Sequence, residues 1–193
     1  MREASNTMRS VAQKSDGGRP SLDQIWAWLA EVPDPEIPVV SVVDLGIVRD
    51  VAWSEDDPEL ACVTVTPTYS GCPATEVIGR MILTELLERG IKRVALRVQL
   101  SPPWTTDWLT ERAKQKLNDY GIAPPTKQAT GVSDPLAASL FVLGQGPETP
   151  AALLCPRCGS TRNETISRFG STPCKALHRC LDCREPFDHF KCH

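Results

Sequence analysis

The sequence predicts an α+β fold: a small mixed sheet with helices packed on it, followed by a short cysteine-rich module. Three observations lead there. The apolar periodicity runs in the order helix, two strands, helix, strand, helix, and 41% of the 193 residues are hydrophobic, enough for a core. Charge is unevenly divided. Residues 1–19 hold four basic and two acidic side chains, residues 20–150 ten and eighteen, and residues 151–193 seven and four. All three histidines and six of the eight cysteines fall in that last stretch. We read 1–19 as a disordered tail, 20–143 as the α+β domain, 144–152 as a linker and 153–193 as the cysteine-rich module.

Each element has a local reason. Ser21 caps a first helix, with Gln24 in the capping-box position and Leu22, Ile25, Trp26 and Leu29 as its apolar stripe. The helix must stop before Pro33. Pro33-Asp34-Pro35-Glu36-Ile37-Pro38 has three prolines in six residues, which excludes helix and central strand and leaves a rigid loop. Asp44-Leu45-Gly46 reads as a turn. Ile47–Trp53 and Leu60–Thr66 read as strands joined by the acidic turn Ser54–Pro58. A second helix is expected from about Pro73 to Arg89, with Ile78, Met81, Ile82 and Leu86 inward and Gly90 as its stop. Val94, Leu96, Val98 and Leu100 alternate with polar or small residues, the pattern of a half-buried strand. A third helix is expected over Asp107–Tyr120, ended by Gly121. Leu136–Val142 reads as a last strand, and Gly144–Pro150 has linker composition.

Composition excludes several classes of function. No apolar run reaches the roughly 20 residues of a membrane helix, and the N-terminus lacks the apolar core of a secretory signal. A cytoplasmic setting follows as the expectation, and there eight cysteines point to metal or thiol chemistry. The acidic body argues against nucleic acid as a partner, because phosphate binding needs a basic face. Residues 1–177 contain no histidine, so the body has neither a Cys-His nucleophile pair nor a two-His, one-carboxylate iron set. It shows no dinucleotide glycine motif and no ferredoxin cysteine spacing either. The chain is therefore expected not to be catalytic itself.

Cys155-Pro-Arg-Cys158 and Cys180-Leu-Asp-Cys183 are two knuckles separated by 21 residues, the four-ligand zinc-ribbon pattern. Each knuckle can aim two thiolates at one ion, zinc or iron. The ion then supplies folding energy that about 40 residues cannot draw from a core. Cys174, between the knuckles, has two readings: a small buried residue, or a further thiolate ligand exposed to a partner or a transient metal. Cys192 and His193 read as incidental.

In the body, Cys72 precedes Pro73 at the expected start of the second helix. There the helix dipole and free amides would lower a thiol pKa. It is the candidate reactive thiol, for transient metal or sulfur, with Asp34, Glu36 and Glu76 as carboxylates that could stand beside it. Their alternatives are local: Glu76 as a helix-dipole partner, and Asp34 and Glu36 as caps of their own turns. Cys62, inside a strand, reads as packed.

Asp34-Pro35-Glu36-Ile37-Pro38, Asp44-Leu45-Gly46 and Thr66 through Gly71-Cys72-Pro73, in this order, resemble the MIP18 family, also called DUF59 or the iron–sulfur assembly P domain. Pro102-Pro103-Trp104 and Gly121–Pro125 extend the match. A MIP18-like body followed by a two-knuckle ribbon with Ser-Thr-Pro-Cys-Lys between the knuckles resembles the branch of that family associated with phenylacetate degradation. His178 departs from it, standing where an aromatic such as tyrosine is expected. The resemblance implies an accessory or maturation protein of the phenylacetyl-CoA 1,2-epoxidase, the ring oxygenase of aerobic phenylacetate catabolism, assisting iron or iron–sulfur centre assembly. It implies a reactive role for Cys72, a transient iron–sulfur cluster as cargo, and the oxygenase or reductase components and the iron–sulfur assembly machinery as partners, with a second copy of the chain as a further candidate. The alternative is a non-catalytic structural subunit of the same oxygenase.

Overall fold

The computed structural model describes residues 19–69, 74–125 and 152–191. The 1–19 tail apart from Arg19, the expected strand at 136–142, the linker up to residue 151, Cys72, Cys192 and His193 lie outside the described residues.

Helix α1 (Leu22–Leu29) starts at the expected capping box. Ser21 Oγ accepts from the Gln24 amide and the Gln24 side chain accepts from the Ser21 amide. It buries Ile25 and Leu29. The proline-rich loop then leads to strands β1 (Val48–Trp53) and β2 (Leu60–Val65), which pair antiparallel with Val51 opposite Val63. Helix α2 (Ala74–Glu88) buries Ile78, Ile82 and Leu86, and Met81 packs partly buried beside them. It crosses to β3 (Arg93–Val98), which lies parallel to β2 and completes a sheet of order β1-β2-β3. The strand is shorter than expected. Its partner ends at Val65, opposite Val98, so Leu100 runs past the sheet, and both Val98 and Leu100 are exposed.

The expected third helix is divided. Thr106–Trp108 forms a single 3₁₀ turn, Leu109 is extended, and Thr110 caps helix α3 (Glu111–Tyr120) by accepting from the Ala113 amide. A β-branched cap with a good acceptor ends one helical run and starts the next. Gly121 closes α3 with a φ of +92°. Gly46 also has a positive φ, +66°, and a Cβ there would stand 2.6 Å from the Trp108 carbonyl oxygen. Only glycine lets the 44–46 turn lie against the 3₁₀ turn.

The cysteine-rich segment supplies β5 (Asn163–Ser167), β6 (Lys175–Cys180) and β7 (Pro186–Phe190). They form a second sheet, paired in the order β7-β6-β5, with one further strand at its β7 edge. Its first member, β4 (Ile122–Ala123), comes from the body and pairs parallel with Asp188 and His189 of β7. The two compositions of the chain thus share a sheet. They also share a core, since Cys174 and Phe190 belong to the main cluster with Ile25, Leu45, Ile78 and Leu86. Trp104 is the joint. Its indole Nε1 donates to the Leu45 carbonyl at 2.9 Å, and its ring meets Phe190 edge-on, centroids 6.1 Å apart.

Candidate functional site

The four knuckle cysteines converge as their spacing predicts. Their sulfurs all lie within 4.8 Å of one another, with Cys155 to Cys183 at 3.8 Å and Cys158 to Cys180 at 3.5 Å. A tetrahedral ion with metal–sulfur bonds of about 2.3 Å has sulfurs about 3.8 Å apart. The donor set therefore fits one mononuclear, thiophilic ion. Backbone geometry builds the knuckles. The Gly159 amide, at φ +74°, donates to the Cys155 carbonyl, and the Cys155 amide donates to the Ser160 carbonyl. Arg184, at φ +64°, makes the matching turn after Cys183. Asp182 ties the knuckles together by accepting from Ser160 and Arg162. The amide of Cys183 favours the Cys180 thiolate and draws its pKa down to about 6. At Cys183 the amide of Glu185 favours the thiolate too, yet desolvation and the three neighbouring sulfurs prevail and push that thiol up to about 12. Four thiolates this close need a cation between them.

A second cluster lies where the ribbon meets the body. Asp34, Glu36, Thr68, Thr75 and Cys174 line an apolar chamber floored by Ile37, Ile78 and Phe190, with room for little more than one water-sized sphere. Asp34 Oδ1 accepts from the Glu36 and Ile37 amides at 2.9 and 2.8 Å, the turn-capping arrangement that proline-rich loops favour. Burial nevertheless raises its pKa against those two amides. Cys174 Sγ stands 3.5 Å from Glu36 Oε2 and 3.0 Å from Thr172 Oγ1. Burial, and then the two carboxylates, push this thiol up to about 11, although the Thr172 hydroxyl favours the thiolate. Lys175 is buried and its Nζ lies 3.5 Å from Asp188 Oδ2.

The structure thus brings together three of the residues singled out from sequence, Asp34, Glu36 and Cys174. Glu76 is elsewhere, exposed on the first turn of α2 and 3.7 Å from Arg80. Cys62 is packed on β2. Cys72 lies outside the described residues. Thr68 before it and Ala74 and Thr75 after it line the chamber. Sequence reasoning missed the contributions of Lys175, Trp104 and Phe190. A buried lysine, a chamber wall supplied by the distant Phe190 and the Trp104 ring that backs it leave no local pattern.

Comparison with known proteins agrees with both halves. Residues 22–90 match the iron–sulfur cluster assembly protein family, and residues 144–191 match the PaaD zinc beta ribbon domain. The chain is 43% identical to a component of the "Putative 1,2-phenylacetyl-CoA epoxidase" of Escherichia coli (strain K12), over 90% of this chain and 94% of that one. The body alone is 36% identical to the Fe-S protein maturation auxiliary factor YitW of Bacillus subtilis (strain 168), over 49% of this chain and 91% of the relative. It is also 36% identical to the Fe-S protein maturation auxiliary factor SufT of Staphylococcus aureus (strain USA300), over 45% and 96%. An iron–sulfur assembly body, a PaaD ribbon and a relative matched along nearly its whole length together make this chain a member of the PaaD family.

Proposed function

We propose that this chain is a non-catalytic accessory protein of phenylacetyl-CoA ring epoxidation that assists assembly of the iron or iron–sulfur centre of an epoxidase component, acting in the cytoplasm. One observation carries the reading. Nine-tenths of the chain aligns with a protein named as part of such an epoxidase, while its body alone aligns with nearly the full length of dedicated iron–sulfur maturation factors. Residues 1–177 contain no histidine, which fits delivery better than catalysis of ring oxygenation. In this reading Cys72 is the thiol that transiently holds iron, sulfur or a cluster as cargo. Glu36 and Asp34 supply the negative field of the chamber that Ala74 and Thr75, close to Cys72 in sequence, also line. The ribbon holds zinc. Cys155, Cys158, Cys180 and Cys183 keep it in a closed four-sulfur shell suited to structure rather than to chemistry. The partners are the oxygenase and reductase components. Cys72→Ser, co-expressed with those components, should lower the iron and acid-labile sulfide they carry and their activity in proportion. Unchanged iron, sulfide and activity would sink the proposal.

The name of the E. coli relative favours a second reading, a stoichiometric structural component of the epoxidase. It requires stable co-purification with the oxygenase and full tolerance of Cys72→Ser.

A further inference from the structure

We infer that the four-cysteine centre is an oxidant-sensitive switch on the body. A peroxide reacts first at Cys158, a disulfide then joins Cys158 to Cys180, and loss of the ribbon ion loosens the core that ribbon and body share.

Three observations carry this. The four donors are unequally covered. Cys155 and Cys180 are 2% and 0% exposed, Cys183 is half-buried, and Cys158 is exposed. Oxidation of a thiolate follows its access, so Cys158 is the point of entry. The nearest sulfur lies across the site rather than along the chain. Cys158 Sγ is 3.5 Å from Cys180 Sγ, and the other short contact, 3.8 Å, is between Cys155 and Cys183. Both link one knuckle to the other, and a disulfide at the first needs its sulfurs to close to about 2.05 Å. The ribbon also has little to hold it once the centre is lost. Cys155, Cys180 and Cys183 are ligands and at the same time half of its own apolar cluster. Cys174, just before β6, and Phe190, at the end of β7, sit in the core of the body and carry the loosening there.

The chemistry balances with hydrogen peroxide as the oxidant. The Cys158 thiolate attacks it, the O–O bond breaks, hydroxide leaves and a sulfenic acid forms. The Cys180 thiolate then attacks the Cys158 sulfur, the S–O bond breaks, a second hydroxide leaves and the S–S bond forms. Two thiolates lose two electrons and one peroxide gains them. Disulfide sulfurs are no longer anionic donors, and Cys155 and Cys183 alone cannot hold an ion there. A dithiol reductant reverses the oxidation by thiol–disulfide exchange.

The inference stands apart from the maturation reading, and its test needs no epoxidase component. Zinc-loaded full-length protein is treated anaerobically with hydrogen peroxide. A chromophoric chelator follows zinc, peptide mass mapping locates disulfides, and tryptophan fluorescence follows the thermal transition of the body. The expected result is release of zinc, a Cys158–Cys180 disulfide and a lowered tryptophan transition, all restored by dithiothreitol and zinc. Cys72→Ser should release zinc at the wild-type rate. Cys158→His keeps a ligand at the exposed position without its thiolate, and should release zinc at least about tenfold more slowly. If that variant takes up no zinc, the disulfide map of the wild-type protein decides, because it needs no substitution. Four outcomes overturn the inference: zinc that stays bound at peroxide concentrations that oxidise Cys72 in the same sample, a first disulfide within one knuckle, release as fast in Cys158→His as in wild type, or zinc release that leaves the tryptophan transition in place.

Discussion

Replacing Phe190 by alanine should destabilise the body, although the residue belongs to the ribbon. Phe190 ends β7 and is 1% exposed. It packs in the main core and meets Trp104 edge-on at 6.1 Å. A buried Phe→Ala change costs about 3–5 kcal/mol in lost transfer energy and cavity. The aromatic pair contributes about 0.5–1.5 kcal/mol of that. Domains of this kind are stable by only about 5–15 kcal/mol. At about 2–4 °C per kcal/mol for this size, the midpoint should fall by about 6–20 °C. The tryptophans make the assay selective. All five lie between Trp26 and Trp108, so their fluorescence reports the body alone. A chromophoric chelator reports ribbon metal in the same sample. The expected result is a lowered tryptophan transition that coincides with metal release. Chelating the metal from wild-type protein should move the tryptophan transition in the same direction. A variant that loses ribbon metal while its tryptophan transition stays put would refute the shared core.

Two further outcomes follow from single residues. Gly46→Ala must hold a side chain at φ +66° and 2.6–2.7 Å from Trp108 backbone and Cβ atoms, so urea denaturation should show a loss of at least about 2–4 kcal/mol. A loss under about 1 kcal/mol would mean that the 44–46 turn does not lie against the 3₁₀ turn. Asp34 has a native pKa raised by burial above the ordinary carboxylate value near 3.9. The native state therefore holds a proton that the unfolded state releases, and stability contributed by this group falls as pH rises from about 4 through the raised value. Asp34→Asn keeps the oxygen that accepts from Glu36 and Ile37 and removes the buried charge. It should be at least as stable as wild type at about pH 7, with the difference shrinking below about pH 4. A variant clearly less stable at neutral pH would show that the charge is compensated.

Local signals in the chain were readable, and long-range ones were not. Ser21 and Gln24 announce α1 because a capping box is complete within four residues. Cys155, Cys158, Cys180 and Cys183 announce the ribbon because metal geometry restricts their spacing. Ile78, Ile82 and Leu86 mark α2 through their period. The contact between Cys174 and Glu36 spans 138 positions in sequence, and no pattern within either segment encodes it. That is why sequence alone leaves Cys174 with two open readings. The structure places it as a buried residue of the main core, its sulfur 3.5 Å from a carboxylate oxygen. β4 escaped notice because two residues, Ile122 and Ala123, carry no periodicity; their strand character comes from the neighbour they pair with. The break at Thr110 was hidden by continuous helical composition on both sides.

The small ribbon core explains how metal at one site governs geometry at the other. Its cluster consists of Ala123, Cys155, Cys180 and Phe187, with Leu153 and Cys183 packed against it. Three of these six residues are ligands, so without the ion the ribbon keeps almost no apolar contacts of its own. One of the remaining three, Ala123, belongs to the body strand that pairs with β7. Loss of the ion should therefore loosen β6 and β7 together. Those strands carry Lys175 and Phe190, and Cys174 stands immediately before the first. Cys174 can face Glu36 at 3.5 Å only while β6 and β7 hold it there. The four-cysteine centre is thus the structural condition for the thiol–carboxylate chamber.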